Sequence, residues 1–186
     1  MIKIREANIN DAERVEYICK MTADEKSKTE EKAGKITSTI YASYYIEEEP
    51  DNAFVLEDDG VVVGYIVCAE NYRSFKTVFT SVYSEKVKNL SKSAGLFARV
   101  LPFPYVIFGR KYPAHLHINL LPGYRSNGYG AEMIKLLEQK LRGKGVKGVM
   151  LMASKENTGA VRFYKRNGFE IIISAFGGVV MAKSLR

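Results

Sequence analysis

The two histidines of the chain lie close together in an apolar segment. His115 and His117 share the parity of Asn119 within the segment 115–121. On a β-strand, residues of one parity project from one face, so these three side chains should lie together. An imidazole with a pKa of about 6.5 can transfer protons near neutral pH. The pair therefore suggests acid–base chemistry, with a purely structural role as the alternative.

A glycine-rich turn, 125–130, follows this segment. Gly128 and Gly130 let the backbone approach a ligand closely, and the predicted helix after them offers unpaired N–H groups and a positive dipole end. Such a turn can bind a pyrophosphate. A dinucleotide turn would need a third glycine where Met133 stands, and a P-loop would need a following Gly-Lys-Ser/Thr. Both of those nucleotide folds are therefore disfavoured.

The turn resembles the acyl-CoA pyrophosphate loop of the GNAT superfamily of N-acetyltransferases, in the pattern Arg125-x-x-Gly128-x-Gly130. A later motif of that family is matched at six positions by the run Asn157-x-x-Ala160-x-x-Phe163-Tyr164-x-x-x-Gly168-Phe169. A weaker match to its opening strand and helix start is Ile4-Arg5-x-Ala7 followed by Asp11. The motifs occur in the family's order and cover most of the chain except 71–112.

The resemblance implies an α/β fold with a GNAT-like mixed, mostly antiparallel central sheet flanked by helices. The sequence itself predicts strands at 2–5, 53–56, 61–69, 115–121, 146–152, 169–176 and 179–182. A helix should begin at a cap on Asn10 or Asp11, and another should run from the glycine turn to Arg142. We expect residues 1–186 to form one domain.

The segment 71–112 is an insertion before the predicted central CoA-binding strand. Its first half places apolar residues at helical spacing, and its second half is rich in aromatic residues and prolines. Aromatic residues at helical spacing usually belong to the core. A long insertion beside an active site can also form a wall or lid for the acceptor.

The resemblance also implies the binding and catalytic residues. The residues expected to bind the cosubstrate acetyl-CoA are Leu120, Leu121, Arg125, Ser126, Asn127, Gly128, Tyr129, Gly130, Ala131, Asn157, Ala160, Phe163 and Tyr164. In the family, the amine attacks the thioester directly in a ternary complex, a backbone N–H on the strand before the loop stabilises the oxyanion, and a tyrosine protonates the departing thiolate. By position that tyrosine is Tyr164.

The helix carrying the second motif has residues spaced for this task. Asn157, Ala160 and Tyr164 should lie along one face, where Asn157 can bind the pantetheine amides and Ala160 leaves them room. We expect Phe163 to point toward the core. The identity of the general base is left open. Many GNAT enzymes use a carboxylate or a water chain on the preceding strand, where this chain has His115 and His117. We favour His117 because it is nearer the middle of the strand, and we expect an acidic limb in its rate profile at about pH 6 to 7.

Composition limits the class of protein. With 186 residues and 46% apolar content, the chain suits one domain with a sizeable core. No apolar run approaches a membrane span or a leader, so we expect a soluble, cytoplasmic protein. Cys19 and Cys68 fall in apolar surroundings and should be reduced core thiols, and we expect no metal. Whether the chain forms a homodimer is left open.

The net charge of +7 favours anionic partners such as CoA. Nucleic acid is disfavoured because the lysines are spread along the chain without a recognised motif. The leading hypothesis is an acetyl-CoA-dependent N-acetyltransferase acting on a primary amine. The alternative is a catalytically silent CoA-binding sensor or scaffold. The acceptor itself is not readable, although Glu47–Glu49 would favour a cationic amine and the aromatic insertion an apolar one.

Overall fold

The computed structural model of the chain describes residues 1–175 and 177–186. Phe176, which ends the predicted strand 169–176, lies outside the described residues. The strands are β1 (Ile2–Glu6), β2 (Ala53–Asp58), β3 (Val61–Ala69), β4 (Ala114–Leu120), β5 (Gly148–Ser154), β6 (Glu170–Ala175) and β7 (Gly178–Ser184). The α-helices are α1 (Ala12–Met21), α2 (Glu25–Thr29), α3 (Glu31–Ser38), α4 (Tyr44–Glu48), α5 (Tyr72–Val78), α6 (Ser84–Leu90), α7 (Lys92–Val100), α8 (Phe103–Phe108), α9 (Tyr129–Gly143) and α10 (Thr158–Arg166).

These strands form one sheet in the order β1-β2-β3-β4-β5-β7-β6. Neighbouring strands are antiparallel except β4 and β5, which are parallel. A parallel pair needs a crossover connection, and α9 provides it. The predicted class, a mixed and mostly antiparallel sheet flanked by helices, is confirmed. Within the described residues, no helix is both long enough and apolar enough to cross a membrane.

The parallel pair β4–β5 is joined only at its start. Ala114 is opposite Val149 and His115 is opposite Met150, and no later residues of the two strands are paired in the described part of the chain. The other edge of β4 pairs with β3 all the way to Leu120. The sheet therefore opens between β4 and β5 toward the carboxyl ends of both strands, which is where ligands bind in open α/β sheets.

The two faces of β4 belong to two different hydrophobic clusters. Leu116 and Ile118 contact the cluster that contains Met133, Ile134 and Leu137 of α9. The opposite face, which carries the histidines, turns toward the cluster formed by α1, α3, α4 and the insertion. This alternation follows from the period of two along a strand, and it confirms that the three residues of one parity share a face.

The insertion 71–112 folds into α5 to α8. Its apolar residues at helical spacing are largely core residues: Phe75, Phe79, Tyr83 and Val87 are each no more than 1% exposed. They join the same cluster as Tyr45. The insertion is therefore packed against the sheet through its aromatic side chains.

Several predicted element ends differ from the structure by one or more residues, and the two starts described next have a clear physical reason. Asp11 stands at the N-cap position of α1, as predicted, but its side chain makes no capping bond there. A 3-10 turn, Ile9–Asp11, precedes α1 and is capped by Asn8, whose side chain accepts a hydrogen bond from the backbone N–H of Asn10, while Asp11 binds Arg5 and the backbone N–H of Asn8. Asp11 thus completes a capping box and has no free oxygen to cap α1. Strand β5 begins at Gly148 and not at 146, because Val146 still donates its N–H to Leu141 at the end of α9.

Candidate active site

The glycine turn between β4 and α9 has the backbone geometry of an anion site. Gly128 has φ of 87° and precedes the first residue of α9, so the N–H groups of the first helical turn face the loop. Ser126 is also left-handed, with φ of 65°. Arg125 donates from Nε to the carbonyl of Leu120 at 2.8 Å, which ties the loop to the end of β4.

The two glycines of the turn are needed for different physical reasons. A Cβ on Gly128 would meet nothing within 4 Å, so this glycine is required by its positive φ. A Cβ on Gly130 would lie 3.0 Å from Cζ of Phe163. Gly130 therefore makes room for a ring of α10. Phe163 was expected to point toward the core; it is half-buried, packs against the cluster that contains Met133, and also lies against the loop.

Helix α10 carries the residues of the second motif. Asn157 caps it, since its Oδ1 accepts a hydrogen bond from the N–H of Ala160 at 3.0 Å. Its Nδ2 has no hydrogen-bond partner in the described part of the chain. Tyr164 is 8% exposed and contacts the rings of Phe163 and Phe169 edge-on, with centroids 5.3 and 5.8 Å away. Burial raises the pKa of Tyr164, so its hydroxyl stays protonated.

Comparisons with known proteins agree with this geometry. The sequence model of the Acetyltransferase (GNAT) family matches residues 15–169. The chain belongs to this family. The crystal structure of SsHAT has a TM-score of 0.89 to this structure at 26% identity, covering 100% of this chain and 98% of that one. PaiA N-acetyltransferase from Thermoplasma acidophilum, solved in complex with coenzyme A, shares the fold at 16% identity and a TM-score of 0.65, with 99% of both chains covered.

A curated relative is also an N-acetyltransferase. It is an uncharacterized N-acetyltransferase of Methanocaldococcus jannaschii, 26% identical over 131 residues. The match covers 70% of this chain and 44% of the relative, so the chain spans less than half the length of that protein.

The side chain of His115 is fully buried. Its exposed fraction is 0%, and its ring lies between Tyr105, stacked at a centroid distance of 4.0 Å, and Phe75 at 4.3 Å. Neither ring nitrogen has a hydrogen-bond partner among the described residues. Burial lowers the pKa of His115 to about 3, because a charged imidazole there would lose its hydration. In this structure His115 has no route to an acceptor.

His117 is half-buried and borders a cavity. Its Nδ1 lies 2.9 Å from the hydroxyl of Tyr65, which also accepts a hydrogen bond from Nδ2 of Asn119 at 3.0 Å. The ring of Tyr41 is stacked on the imidazole at a centroid distance of 5.6 Å. Burial lowers the pKa of His117 to about 4. We expected His117 to titrate at about pH 6 to 7. In the structure its pKa is lower, because the ring is poorly hydrated and the charged imidazolium is disfavoured.

The hydroxyl proton of Tyr65 sets the tautomer of His117. Asn119 donates through its amide nitrogen, so Tyr65 has its own proton left for one partner. If that proton goes to Nδ1 of His117, the neutral imidazole is protonated on Nε2 and cannot accept there. The thiol of Cys19 also adjoins the Tyr65 hydroxyl. If the proton points to Cys19, His117 keeps its proton on Nδ1 and Nε2 is a free acceptor.

The acidic run at the end of α4 is used in structural contacts. Glu47 and Glu48 both accept from the Tyr83 hydroxyl, at 2.8 and 2.9 Å. Glu49 accepts from Tyr44 at 2.8 Å and from the backbone N–H of Glu70 at 2.8 Å. These carboxylates bind the insertion and the sheet, so the hint that they select a cationic acceptor finds no support.

Sequence reasoning missed several residues around His117. Tyr65 is directly opposite Asn119 in the β3–β4 register, and aligning those two predicted strands would have found it. Asp24 and Tyr41 border the same cavity but come from helical segments that carry no motif. Only the packing of α1 to α3 over β4 brings them there.

Proposed function

We propose that this protein transfers an acetyl group from acetyl-CoA to a primary amine, by direct attack in a ternary complex. The observation that supports this most is the opening between β4 and β5. It has the glycine loop at its outer end, Tyr164 on the α10 side, and the cavity of His117 on the other face of β4. A thioester in that opening would have an anion site, an acid and a base around it.

The cosubstrate would be held mainly by backbone groups. The pyrophosphate would bind the N–H groups at the start of α9, and the pantetheine arm would run past Ala160, with its amides bonded to Nδ2 of Asn157. A shallow depression of about 390 Å³ lies beside the loop and includes Lys135 and Arg166. These two cations would suit the remaining phosphate charge of CoA.

The transfer would need two proton movements. The amine nitrogen attacks the thioester carbon and the C–N bond forms, while a backbone N–H on the unpaired edge of β4 stabilises the oxyanion. The C–S bond then breaks, and Tyr164 gives its proton to the CoA thiolate. His117 takes the proton that the nitrogen loses, and this proton later restores Tyr164 through solvent. The products are an N-acetylated amine and free CoA.

His117 would act in the tautomer protonated on Nδ1. Tyr65 then accepts from both His117 and Asn119 and turns its own proton to Cys19, which leaves Nε2 of His117 free. With a pKa near 4, the imidazole is a weak base for a free ammonium. It is suited to the nitrogen of the adduct, which becomes far more acidic once it is bonded to the carbonyl carbon. The amine would therefore enter uncharged at the reacting nitrogen.

We also propose that residues 1–186 act as one domain, in which the insertion 71–112 forms a wall behind the thioester. Tyr105 of α8 covers His115, and its buried hydroxyl has a pKa raised by burial and then by the phenols of Tyr41 and Tyr164. A buried tyrosine packed on His115 would close the opening to water from behind.

The test combines binding with turnover. Calorimetry should show acetyl-CoA binding, and a thiol-release assay across amines, amino acids, polyamines, aminoglycosides and peptides should show CoA formation with at least one acceptor. Gly128→Val should weaken binding at least tenfold. Gly60→Val is the matched control, because Gly60 also has a positive φ, 84°, and open space around it. Absence of acetyl-CoA binding by the wild type would refute the proposal, and binding without turnover would favour the silent CoA sensor.

A further inference from the structure

A second cavity lies beside the reacting centre, on the α1–α3 side of β4. Its volume is about 250 Å³. It is lined by Cys19, Thr22, Ala23, Asp24, Thr37, Tyr41, His117 and Asn119. None of the residues that we assign to acetyl-CoA lines it, and neither does the insertion. Among the lining residues, His117 is the one that takes the proton in the proposed transfer, and Cys19 and Asn119 orient it through Tyr65. The cavity therefore leads to the base from the side away from the cosubstrate loop.

The lining of the cavity carries one formal charge at neutral pH. Asp24 is ionised, because hydrogen bonds from the backbone N–H of Ser27 lower its pKa. His117 is neutral with a pKa of about 4, and burial raises the pKa of the Cys19 thiol to about 12. Tyr41 is also protonated, since burial raises its pKa. In a protein with a net charge of +7, the one formal charge that lines this cavity is thus negative, and it is carried by an exposed carboxylate.

The carboxylate of Asp24 is fixed in place but not neutralised. Its Oδ1 accepts from the N–H of Ser27 at 3.0 Å and its Oδ2 from the hydroxyl of Ser27 at 3.1 Å. That hydroxyl is in turn bonded to Thr37 at 2.8 Å. No lysine or arginine in the described part of the chain lies within ion-pair distance of Asp24. A carboxylate has about four lone-pair sites, so it can still bind a cation.

We propose that this cavity is the acceptor site and that the acceptor is a small amine with a second positive group, which binds Asp24 while the reacting nitrogen faces His117. The inference rests on the proposed acetyl transfer. A volume of 250 Å³ equals roughly eight water molecules, so an acceptor of about eight non-hydrogen atoms would fit in it. A short alkyl chain with an ammonium or guanidinium end has this size, and Tyr41 gives it an aromatic neighbour.

The experiment compares three amines of equal length and different far-end charge. They are 1,5-diaminopentane, pentylamine and 5-aminopentanoate, and a tripeptide with a free N-terminus is added as a larger probe. Thiol release should give kcat/KM at least tenfold higher for the diamine than for pentylamine, and lower again for the aminopentanoate. A preference for pentylamine, the aminopentanoate or the tripeptide would overturn the assignment.

Two variants separate the cavity from the general folding of the protein. Asp24→Asn removes the charge, yet asparagine also caps helices well, so α2 should stay folded. It should reduce the preference for the diamine over pentylamine to within threefold. Glu25→Gln is the matched control, because Glu25 pairs with Lys28 at the surface and does not line the cavity; it should keep the wild-type preference. An unchanged preference in Asp24→Asn would overturn the proposal.

Failure of this inference can be told apart from failure of the proposed function. If any amine releases CoA but the charge at its far end does not change kcat/KM, the proposed acetyl transfer is supported and the proposed role of Asp24 is refuted. If no amine releases CoA, calorimetry of the same three amines with the CoA-loaded protein tests separately whether the cavity binds a diamine. Tighter binding of the diamine by wild type than by Asp24→Asn would support the site, and equal binding would refute it.

Discussion

The two histidines of β4 lie two residues apart on the same face of one strand, and the structure gives them opposite surroundings. His115 is enclosed between Tyr105 and Phe75, with no polar partner in the described chain, whereas His117 is bonded to Tyr65 and borders a cavity. Strand parity therefore identifies which residues share a face. Which of them can do chemistry depends on what packs over that face.

The difference arises from the segments that cover β4. The insertion covers the start of the strand, where β4 and β5 are still paired, and its aromatic rings leave no space around His115. The end of α1 and the end of α3, with the segment that follows each of them, cover the later part less completely and leave the cavity at His117. One region is built for packing and the other for access, and each prediction below tests that contrast.

The largest expected effect is on turnover. His117→Gln keeps some hydrogen bonding but cannot take the proton, so kcat should fall about a hundredfold at neutral pH, within the range for general base catalysis. The loss should persist at higher pH, because His117 takes its proton from the adduct and both proteins need the amine uncharged. His115→Phe, which retains a planar ring in the packed site, should stay within threefold of wild type. Equal losses in both variants, measured by thiol release, would remove the contrast between the two histidines.

The next effect is on stability in acid. The folded pKa of His115 is about 3, below its unfolded value, so unfolding takes up a proton and stability is lost as the pH falls below about 6.5. Between pH 7 and pH 5 this histidine should account for about 2 kcal/mol of unfolding free energy. His115→Phe should flatten the pH dependence by that amount in urea titrations. If the unfolding free energy of the variant depends on pH as steeply as that of the wild type, His115 is not the source of this pH dependence.

A smaller effect concerns the acid on the other side of the opening. Tyr164→Phe keeps the ring contacts with Phe163 and Phe169 and removes the proton that the thiolate needs. Turnover should drop at least tenfold, about 1.4 kcal/mol of barrier, with little change in acetyl-CoA affinity. Steady-state rates together with calorimetry measure both quantities. Unchanged turnover would assign Tyr164 to packing alone, like His115.

The smallest effect tests how Tyr65 orients His117. Cys19→Ala removes the alternative partner of the Tyr65 hydroxyl, so the phenol should donate to Nδ1 of His117 and move the ring proton to Nε2. Nitrogen-15 NMR of the imidazole should show the shifts of the two ring nitrogens moving toward each other as part of the population changes tautomer, and the rate should fall about threefold. Cys68→Ala, which removes a buried thiol from the other cluster, is the control. The same tautomer in all three proteins would contradict the proposed orientation.

Much of the fold was predictable because its signals are local. The Asp59-Gly60 turn predicted the β2–β3 hairpin, and both residues are left-handed there, as a two-residue hairpin turn requires. The spacing of Met133, Leu137 and Leu141 predicted the buried face of α9, and all three are buried. Asn157 was expected near the start of its helix and caps it.

The environment of the site was not predictable, because it depends on contacts between segments distant in sequence. His115 is buried by Phe75 of α5 and Tyr105 of α8, which are 40 and about ten residues away in the sequence. Neither helix carries a motif that would predict this contact. The pKa of His117 was expected near its usual value, and burial moves it to about 4. Asp24 follows a helix with no pattern that would link it to a strand ninety residues later.

The most direct test of the central claim is a single-turnover experiment with isotopically labelled acetyl-CoA. Without an amine, intact-protein mass spectrometry should show an unmodified protein and CoA should not be released. After addition of 1,5-diaminopentane, or of another amine found to be an acceptor, the label should move to that amine as CoA forms. Release of CoA before any amine is added, with the label attached to the protein, would contradict direct transfer in a ternary complex.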